Sequence, residues 1–236
     1  MPGSETPLST RLRRGRHLAR LSEASSDRLA RAARVVHLDE GEYLFRAGEP
    51  AEFFAVMETG LVLISVPKRD GESAILGLFG PRECVGLSAA LDAGSTFPGN
   101  AMILSSKATA ILVPAADTRQ IGAEDTTCAS ALREALLDHT RALRVKIEIL
   151  SAGRVRSRLA SLLLHLAERF GDELEDGDTF VPIALSRSAL AQLISARSET
   201  VIRALTKWRH EGLVIASDEG FRIKDPETLR SIAEGS

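Results

Sequence analysis

The sequence predicts an α+β fold in three parts, because three stretches of the chain differ in hydrophobic periodicity and in glycine and proline content. The first part, 1–124, holds short apolar runs separated by turn residues. The second, 125–152, has no glycine or proline, and its apolar residues recur at helical spacing. The third, 153–236, alternates helical and strand-like patterns. We therefore predict a β-rich domain, one long helix and a small helical domain that ends in a hairpin.

The composition narrows the class of protein. The 236 residues are 44% hydrophobic and 26% charged, which indicates a packed core. No run approaches the roughly eighteen apolar residues of a membrane helix, and residues 1–20 lack the apolar segment of a secretory signal. We expect a cytoplasmic protein with no membrane partner. Cys84 and Cys128 form no metal-finger pattern, so no metal site is expected.

In the first part, turn residues such as Gly48-Glu49-Pro50 and Asp70-Gly71 recur at near-regular intervals. This spacing predicts a small antiparallel barrel or sandwich. A helix at about 22–33 leads into it. The predicted strands lie in the apolar runs 35–38, 42–45, 53–57, 61–66, 74–79, 101–104 and 108–113.

The second part is predicted to be a single helix about 40 Å long. Such a helix is too long for a small barrel to cover, so we expect a parallel partner helix from a second subunit and hence a homodimer. The alternative is a helix that lies along its own barrel. The face predicted to form the dimer carries Leu132, Leu136, His139, Leu143, Ile147 and Leu150.

The third part has the order of a winged helix-turn-helix. Ser186 is a suitable N-cap for the first of its two short helices. The turn is Ser195-Ala196-Arg197, and the second helix runs to about Arg209. The predicted elements are a helix at 154–170, an acidic turn at 171–178, a strand at 179–183, helices at 187–194 and 198–209, a hairpin at 213–224 that turns at 218–220, and a last helix that starts at Asp225-Pro226.

Positive charge is concentrated in this third part. The chain carries a formal charge of −2, which excludes a globally basic nucleic-acid binder, but the segment 185–224 holds seven Lys or Arg against four Asp or Glu. Arg can bond guanine and Glu can accept from cytosine, whereas a helix N-terminus suits a phosphate. The candidate DNA-binding residues are Arg187, Arg197, Ser198, Glu199, Thr200, Ile202, Arg203 and Lys207.

Two motif groups make residues 21–233 similar to the Crp/Fnr family, that of the cyclic-AMP receptor protein and the fumarate–nitrate reduction regulator. They are Gly41-Glu42-x-Leu44-Phe45-x-x-Gly48-Glu49-Pro50-Ala51 in the first part, and Leu185-Ser186-Arg187-x-x-Leu190-Ala191 with Glu199-Thr200-Val201-x-Arg203-Ala204-Leu205 in the third.

The resemblance implies a bacterial transcription regulator that binds double-stranded DNA. It implies a sensor domain with a double-stranded β-helix (jelly roll) like that of cyclic-nucleotide-binding domains, a dimerisation helix, and RNA polymerase as a partner. The acidic turn at 171–178 either contacts the polymerase or, more simply, is a solvated loop. It places base reading at Ser198, Glu199, Ile202 and Arg203. Glu199 and Arg203 match the family, whereas Ser198 and Ile202 depart from it. We expect a palindromic site with TGA-like half-sites.

The family's nucleotide binders carry Glu in a Gly-Glu-Leu segment and Arg in a Pro-Arg-Ser-Ala segment. In this chain Leu87 replaces that Glu, and Gly99-Asn100 replace Arg-Ser. A phosphate buried without a counter-charge is costly, so we expect a signal other than cyclic AMP. Arg82 precedes these segments and is expected on the surface. The expected effector pocket comprises Gly86, Leu87, Ser88, Gly99, Asn100 and Ala101.

The sequence is also compatible with other functions. A haem could be held by His17, His37, His139 or Cys84, and Cys84 could sense redox state if its thiolate were stabilised. A small organic effector, or none, is also compatible, and the helix-turn-helix could bind protein instead of DNA. An enzyme is not expected, because the chain has neither a nucleophile elbow nor a phosphate-cradling glycine loop.

Overall fold

The computed structural model describes residues 6–67 and 73–235. Its internal contacts divide the chain into two compact units, of which the first ends at Leu143 and the second begins at Arg144. The predicted domain boundaries at 124/125 and 152/153 stay a prediction, and the predicted turn at Asp70-Gly71 lies outside the described residues. Within the described ranges, no helix is both long and apolar enough to cross a membrane.

Two four-stranded antiparallel sheets form the first unit, with strand orders β1-β8-β3-β6 and β2-β7-β4-β5. This confirms the predicted β-rich domain. The strands are β1 (Arg34–Asp39), β2 (Tyr43–Phe45), β3 (Phe53–Thr59), β4 (Val62–Pro67), β5 (Ser73–Phe79), β6 (Cys84–Val85), β7 (Asn100–Ile103) and β8 (Lys107–Pro114). The helices are α1 (Leu8–Leu12), α2 (Glu23–Ala32), α3 (Leu87–Leu91), α4 (Ala115–Glu124) and the start of α5 (Thr126–Ser151).

Strand β3 is buried on both of its faces. The two sheets form a β-roll, and Ala55 and Met57 belong to the cluster of side chains inside it. Phe54 and Val56 alternate with them and belong to a second cluster, formed with side chains of α1, α2, α4 and α5. Because side chains alternate along a strand, burial on both faces requires a continuous apolar run. The helices around the roll therefore belong to the first unit's core.

The second unit is a winged helix-turn-helix, as predicted. Its small sheet has the order β11-β12-β10-β9. Part of the predicted acidic turn is a strand instead, because Glu173 pairs with Thr179 across a tight hairpin. The elements are α6 (Val155–Phe170), β9 (Asp172–Glu173), β10 (Thr179–Val181), α7 (Arg187–Leu193), α8 (Ser198–His210), β11 (Val214–Ala216), β12 (Phe221–Ile223) and α9 (Pro226–Ala233).

Candidate nucleic-acid interface

A tight turn joins α7 to α8. Ser186 is the N-cap of α7, and its hydroxyl accepts from the backbone N–H of Ala189 at 3.0 Å. The chain reverses at Ser195, whose φ of +51° is unusual for a residue with a side chain. The N–H of Ala196 then donates to the carbonyl of Ala191 at 2.8 Å. This reversal lets α8 begin at Ser198.

Helix α8 has a buried face and an exposed face. Val201 and Trp208 are fully buried and Leu205 is 7% exposed, as the helical spacing predicted. The exposed face carries Glu199, Ile202, Arg203, Thr206 and Lys207. Packing therefore leaves the polar N-terminal half of α8 open to solvent.

An open groove lies between α7 and the N-terminal turn of α8. Its lining includes five of the predicted DNA-binding residues: Arg197, Ser198, Glu199, Thr200 and Arg203. Ile202 is exposed on the same helix, whereas Arg187 is half-buried at the start of α7. Lys207 forms an ion pair with Glu211, with Nζ 3.5 Å from Oε1. The sequence thus identified a set of which five members line one concave surface.

The N-terminal end of α8 is suited to an anion. Arg197, the residue before the helix, makes no side-chain capping hydrogen bond to it. The first N–H groups of a helix have no partner within the helix, and the helix dipole adds partial positive charge there. With the guanidinium groups of Arg197 and Arg203 on the groove, this end of α8 can hold a phosphate or present donors to a base.

One basic residue of the wing is paired with acidic side chains. Arg222 on β12 forms ion pairs with Asp176 and Asp178, which the β9–β10 hairpin brings to it. The hydrogen bond that Arg222 donates to the carboxylate of Asp178 is the main reason that the pKa of Arg222 is raised. Arg222 is one of the seven basic residues of the segment 185–224, whereas its partners Asp176 and Asp178 precede that segment. Lys224 is the exposed cation at the end of this strand.

Two cationic side chains hold the carboxyl end of α7. Arg158 of α6 donates from Nη1 to the carbonyl of Ile194 at 3.0 Å, and Lys146 of α5 donates to the carbonyl of Leu193. Burial lowers the pKa of Lys146 to about 8. Carbonyls at a helix C-terminus attract donors and positive charge. Sequence reasoning missed both residues, because they precede their acceptors by 36 and 47 positions.

The predicted dimer face of α5 divides into two halves. Leu132 is 6% exposed and belongs to the core of its own unit, and Leu136 packs against that core. His139 also contacts the first unit, since its Nε2 lies 2.8 Å from the carbonyl oxygen of Cys84. Burial lowers the pKa of His139. The remaining three residues are exposed in the single chain, with Leu143 at 51%, Ile147 at 64% and Leu150 at 37%.

Aromatic rings fill the roll beside the predicted effector residues. Phe45 and Phe97 stack with their ring centroids 3.7 Å apart. Gly86 has a φ of +78°, and a Cβ atom on it would lie 2.8 Å from the Phe97 ring. A side chain at position 86 therefore conflicts with both the backbone conformation and the ring.

The predicted effector residues lie in different environments. Leu87 is fully buried in the cluster shared with the helices, whereas Ser88 is exposed. A Cβ on Gly99 would lie 2.6 Å from the carbonyl oxygen of Ser65. The side chain of Asn100 accepts from the N–H of Ala47 at 2.9 Å, and Ala101 is fully buried. Arg82, which precedes the first predicted effector residue, Gly86, is exposed as expected. Its Nε donates to the carbonyl of Arg14.

The candidate haem and redox residues occupy separate environments. Burial raises the pKa of the Cys84 thiol to about 12, which disfavours a thiolate. His17 lies 2.5 Å from a carboxylate oxygen of Asp138, and exposed His37 lies 3.1 Å from the hydroxyl of Thr109. Across 6–67 and 73–235, no group of three or more His, Cys, Asp or Glu could hold a metal ion.

A helix-turn-helix that exposes Glu and Arg at the start of its second helix, followed by a β-hairpin, defines a DNA-binding protein of the winged helix-turn-helix class. Two family models match this chain: a Crp-like helix-turn-helix domain over residues 157–232 and a cyclic nucleotide-binding domain over residues 35–125. Together they cover more than half of the sequence. The chain belongs to the Crp/Fnr family of transcription regulators.

Curated relatives are transcription regulators. The "CRP-like cAMP-activated global transcriptional regulator" of Mycobacterium tuberculosis is 28% identical over 201 residues, which is 85% of this chain and 88% of that protein. The "Transcriptional activator protein anr" of Pseudomonas aeruginosa is 28% identical, over 84% of this chain and 80% of that protein.

Solved structures share the fold at low sequence identity. FixK2 from Bradyrhizobium japonicum superposes with a TM-score of 0.75 at 19% identity, over 86% of this chain and 98% of that chain. A CooA mutant from Carboxydothermus hydrogenoformans gives a TM-score of 0.72 at 15% identity, over 98% of this chain and 97% of that one.

Proposed function

We propose that this regulator is a homodimer that binds a two-fold symmetric site in duplex DNA and responds to a signal other than cyclic AMP. The half-sites would lie about one helical turn, roughly 34 Å, apart. The observation that carries the proposal is the exposed N-terminal half of α8, where Glu199 and Arg203 flank a groove beside an uncapped helix end.

The residues of this surface divide into two roles. Glu199 and Arg203 read base edges in the major groove, because carboxylates accept from cytosine and guanidinium groups bond guanine. Phosphate contacts fix the register of the helix on the duplex without reading sequence. We assign those contacts to Arg187, Arg197, Thr200 and Lys207, together with Lys224 of the wing.

The dimer is proposed to form through the second half of α5. Leu143, Ile147 and Leu150 are separated by four and three residues, which is the spacing of a coiled-coil seam. All three are exposed in the single chain, and large exposed apolar patches mark interaction sites in proteins. A parallel copy of α5 would cover them and place two recognition helices about a two-fold axis.

A signal other than cyclic AMP is supported by the residues of the roll. Leu87 is fully buried among apolar side chains, and Asn100 is engaged with the backbone. Neither supplies the charge that a buried phosphate requires. A haem or redox signal is the alternative, and RNA polymerase is the expected protein partner. Asp172 and Glu173 keep exposed carboxylates on the acidic segment for such a contact.

Two measurements on the full chain test the proposal. The mass in solution should be that of a dimer, and selection from random duplexes should enrich a palindrome. A monomer that selects no sequence would contradict it. An absorption spectrum, with mass spectrometry of the native protein, identifies any bound small molecule. Detection of haem in that spectrum would make a haem-dependent signal the better proposal, and it would not contradict the DNA-binding function.

A further inference from the structure

Ile202 is an apolar side chain on the polar face of α8, and 46% of it is exposed. The preceding residue, Val201, is fully buried. A step of about 100° per residue carries Ile202 from that buried face round to the exposed one. Because apolar surface stabilises a protein only when it leaves water, the exposed part of this isoleucine does not stabilise the fold.

The neighbours of Ile202 indicate what covers it. Glu199 is nearly one turn before it, Arg203 follows it, and Thr206 is about one turn after it; all three are exposed. A docking site for an apolar protein surface would need a continuous apolar patch. A single apolar group among hydrogen-bonding groups is instead complementary to the edge of an A·T pair in the major groove. There the thymine C5-methyl group lies beside hydrogen-bond donors and acceptors.

We propose that Ile202 contacts the C5-methyl group of a thymine in each half-site, next to the bases that Glu199 and Arg203 read. The proposal rests on the proposed function, since it requires α8 to enter the major groove. It gives the operator a specific requirement: one thymine of each half-site is recognised by its methyl group rather than by hydrogen bonds. Cytosine, guanine and adenine present no such group in that groove.

The test uses the site selected by the full-length protein. Each thymine is replaced in turn by deoxyuridine, which removes only the methyl group. The expected result is one thymine per half-site whose replacement weakens binding about fourfold, the effect of one buried methyl-sized group. In the variant Ile202→Ala the same replacement should have no effect. Ile215→Ala is the matched control, because Ile215 is 40% exposed on wing strand β11; it should keep the wild-type sensitivity.

The outcomes separate this inference from the proposed function. Sequence-specific binding that no deoxyuridine weakens would overturn the role of Ile202 and leave DNA binding intact. Retention of the methyl effect in Ile202→Ala would also overturn it, because another residue would then read the methyl group. Failure of the wild-type protein to select any duplex would overturn both. Thermal unfolding of each variant shows that it is folded, and Ile202→Val, which keeps most of the contact, should bind nearly as the wild type does.

Discussion

Arg158 on α6 donates a hydrogen bond from Nη1 to the carbonyl oxygen of Ile194 at 3.0 Å, and the same nitrogen lies 3.5 Å from the carbonyl oxygen of Ser195. Ile194 is fully buried at the end of α7. One side chain therefore spans the point where the chain turns from α7 towards the recognition helix α8. The geometry of that turn depends on a helix that contributes nothing to the groove itself.

Replacing Arg158 with methionine should weaken both the fold and DNA binding. The carbonyl of Ile194 would lose its side-chain donor, at a cost of about 1–3 kcal/mol in the free energy of unfolding. Denaturant unfolding and DNA titration measure the two effects. Arg156→Met is the control, since Arg156 is exposed on the same helix. Equal behaviour of the two variants would show that the hydrogen bond does not hold the turn.

Replacing Arg203 with alanine should cost about 1–3 kcal/mol of specific DNA binding and relax one base position. The reason is that a guanidinium group discriminates guanine by two hydrogen bonds at once. Binding to a panel of sites, each with a single base pair changed, measures the effect. Arg209→Ala, at the exposed C-terminal end of α8, should leave the ranking of sites unchanged. A uniform loss across the panel with Arg203→Ala would contradict base reading by this residue.

Replacing Ile147 with aspartate should produce a monomer. Ile147 is the most exposed of the three α5 residues in the proposed seam, and a carboxylate there would be buried against its copy at a large desolvation cost. Loss of the second half-site contact should weaken DNA binding about a hundredfold or more. Sedimentation measures the mass. Leu76→Asp, at a 39% exposed position on β5, is the control and should stay dimeric. A dimeric Ile147→Asp would place the interface elsewhere.

The stability of the protein should fall in mild acid because of His139. Burial lowers the folded-state pKa of His139 below 6.5. As the pH falls through 6.5 the unfolded chain takes up a proton that the folded chain does not, so the free energy of unfolding decreases below that pH. Above pH 6.5 His139 is neutral in both states, so the protein has lost none of this stability. His139→Gln keeps a donor for the carbonyl of Cys84 but does not titrate.

Unfolding in denaturant from pH 7 to pH 5 measures this dependence. The curve for His139→Gln should be flatter than that of the wild type, and His37→Gln, at an exposed position on β1, is the control variant. Parallel curves for the wild type and His139→Gln would show that His139 takes up its proton equally well in the folded state.

Local patterns in the sequence were sufficient for the elements of the second unit. Ser186 caps α7, Val201 and Trp208 face inward, and the hairpin turns where Asp218 to Gly220 predicted. These features depend on spacing of a few residues, so a single sequence carries them. The pairing of Arg222 with Asp178 and Asp176 connects residues 44 and 46 positions apart, and no local signal marks it.

The division of α5 was harder to predict for a related reason. Leu132, Leu136 and Leu143 have the same side chain and fall on one stripe, so periodicity assigns them to one surface. Which of them faces its own barrel depends on where the neighbouring helices lie, and α1, α2 and α4 supply the core that covers Leu132. Periodicity identifies the apolar face of a helix but not the chain that covers it.

The two halves of α5 also bear on how regulators of this kind could be recombined. A chimaera with its crossover between His139 and Leu143 would retain, with the first unit, every α5 residue that belongs to that unit's core. It would take the proposed coiled-coil seam and α8 together from the other parent. Under the proposed function, the parent of the first unit would then set the input signal, and the other parent would set both the dimer partner and the operator preference.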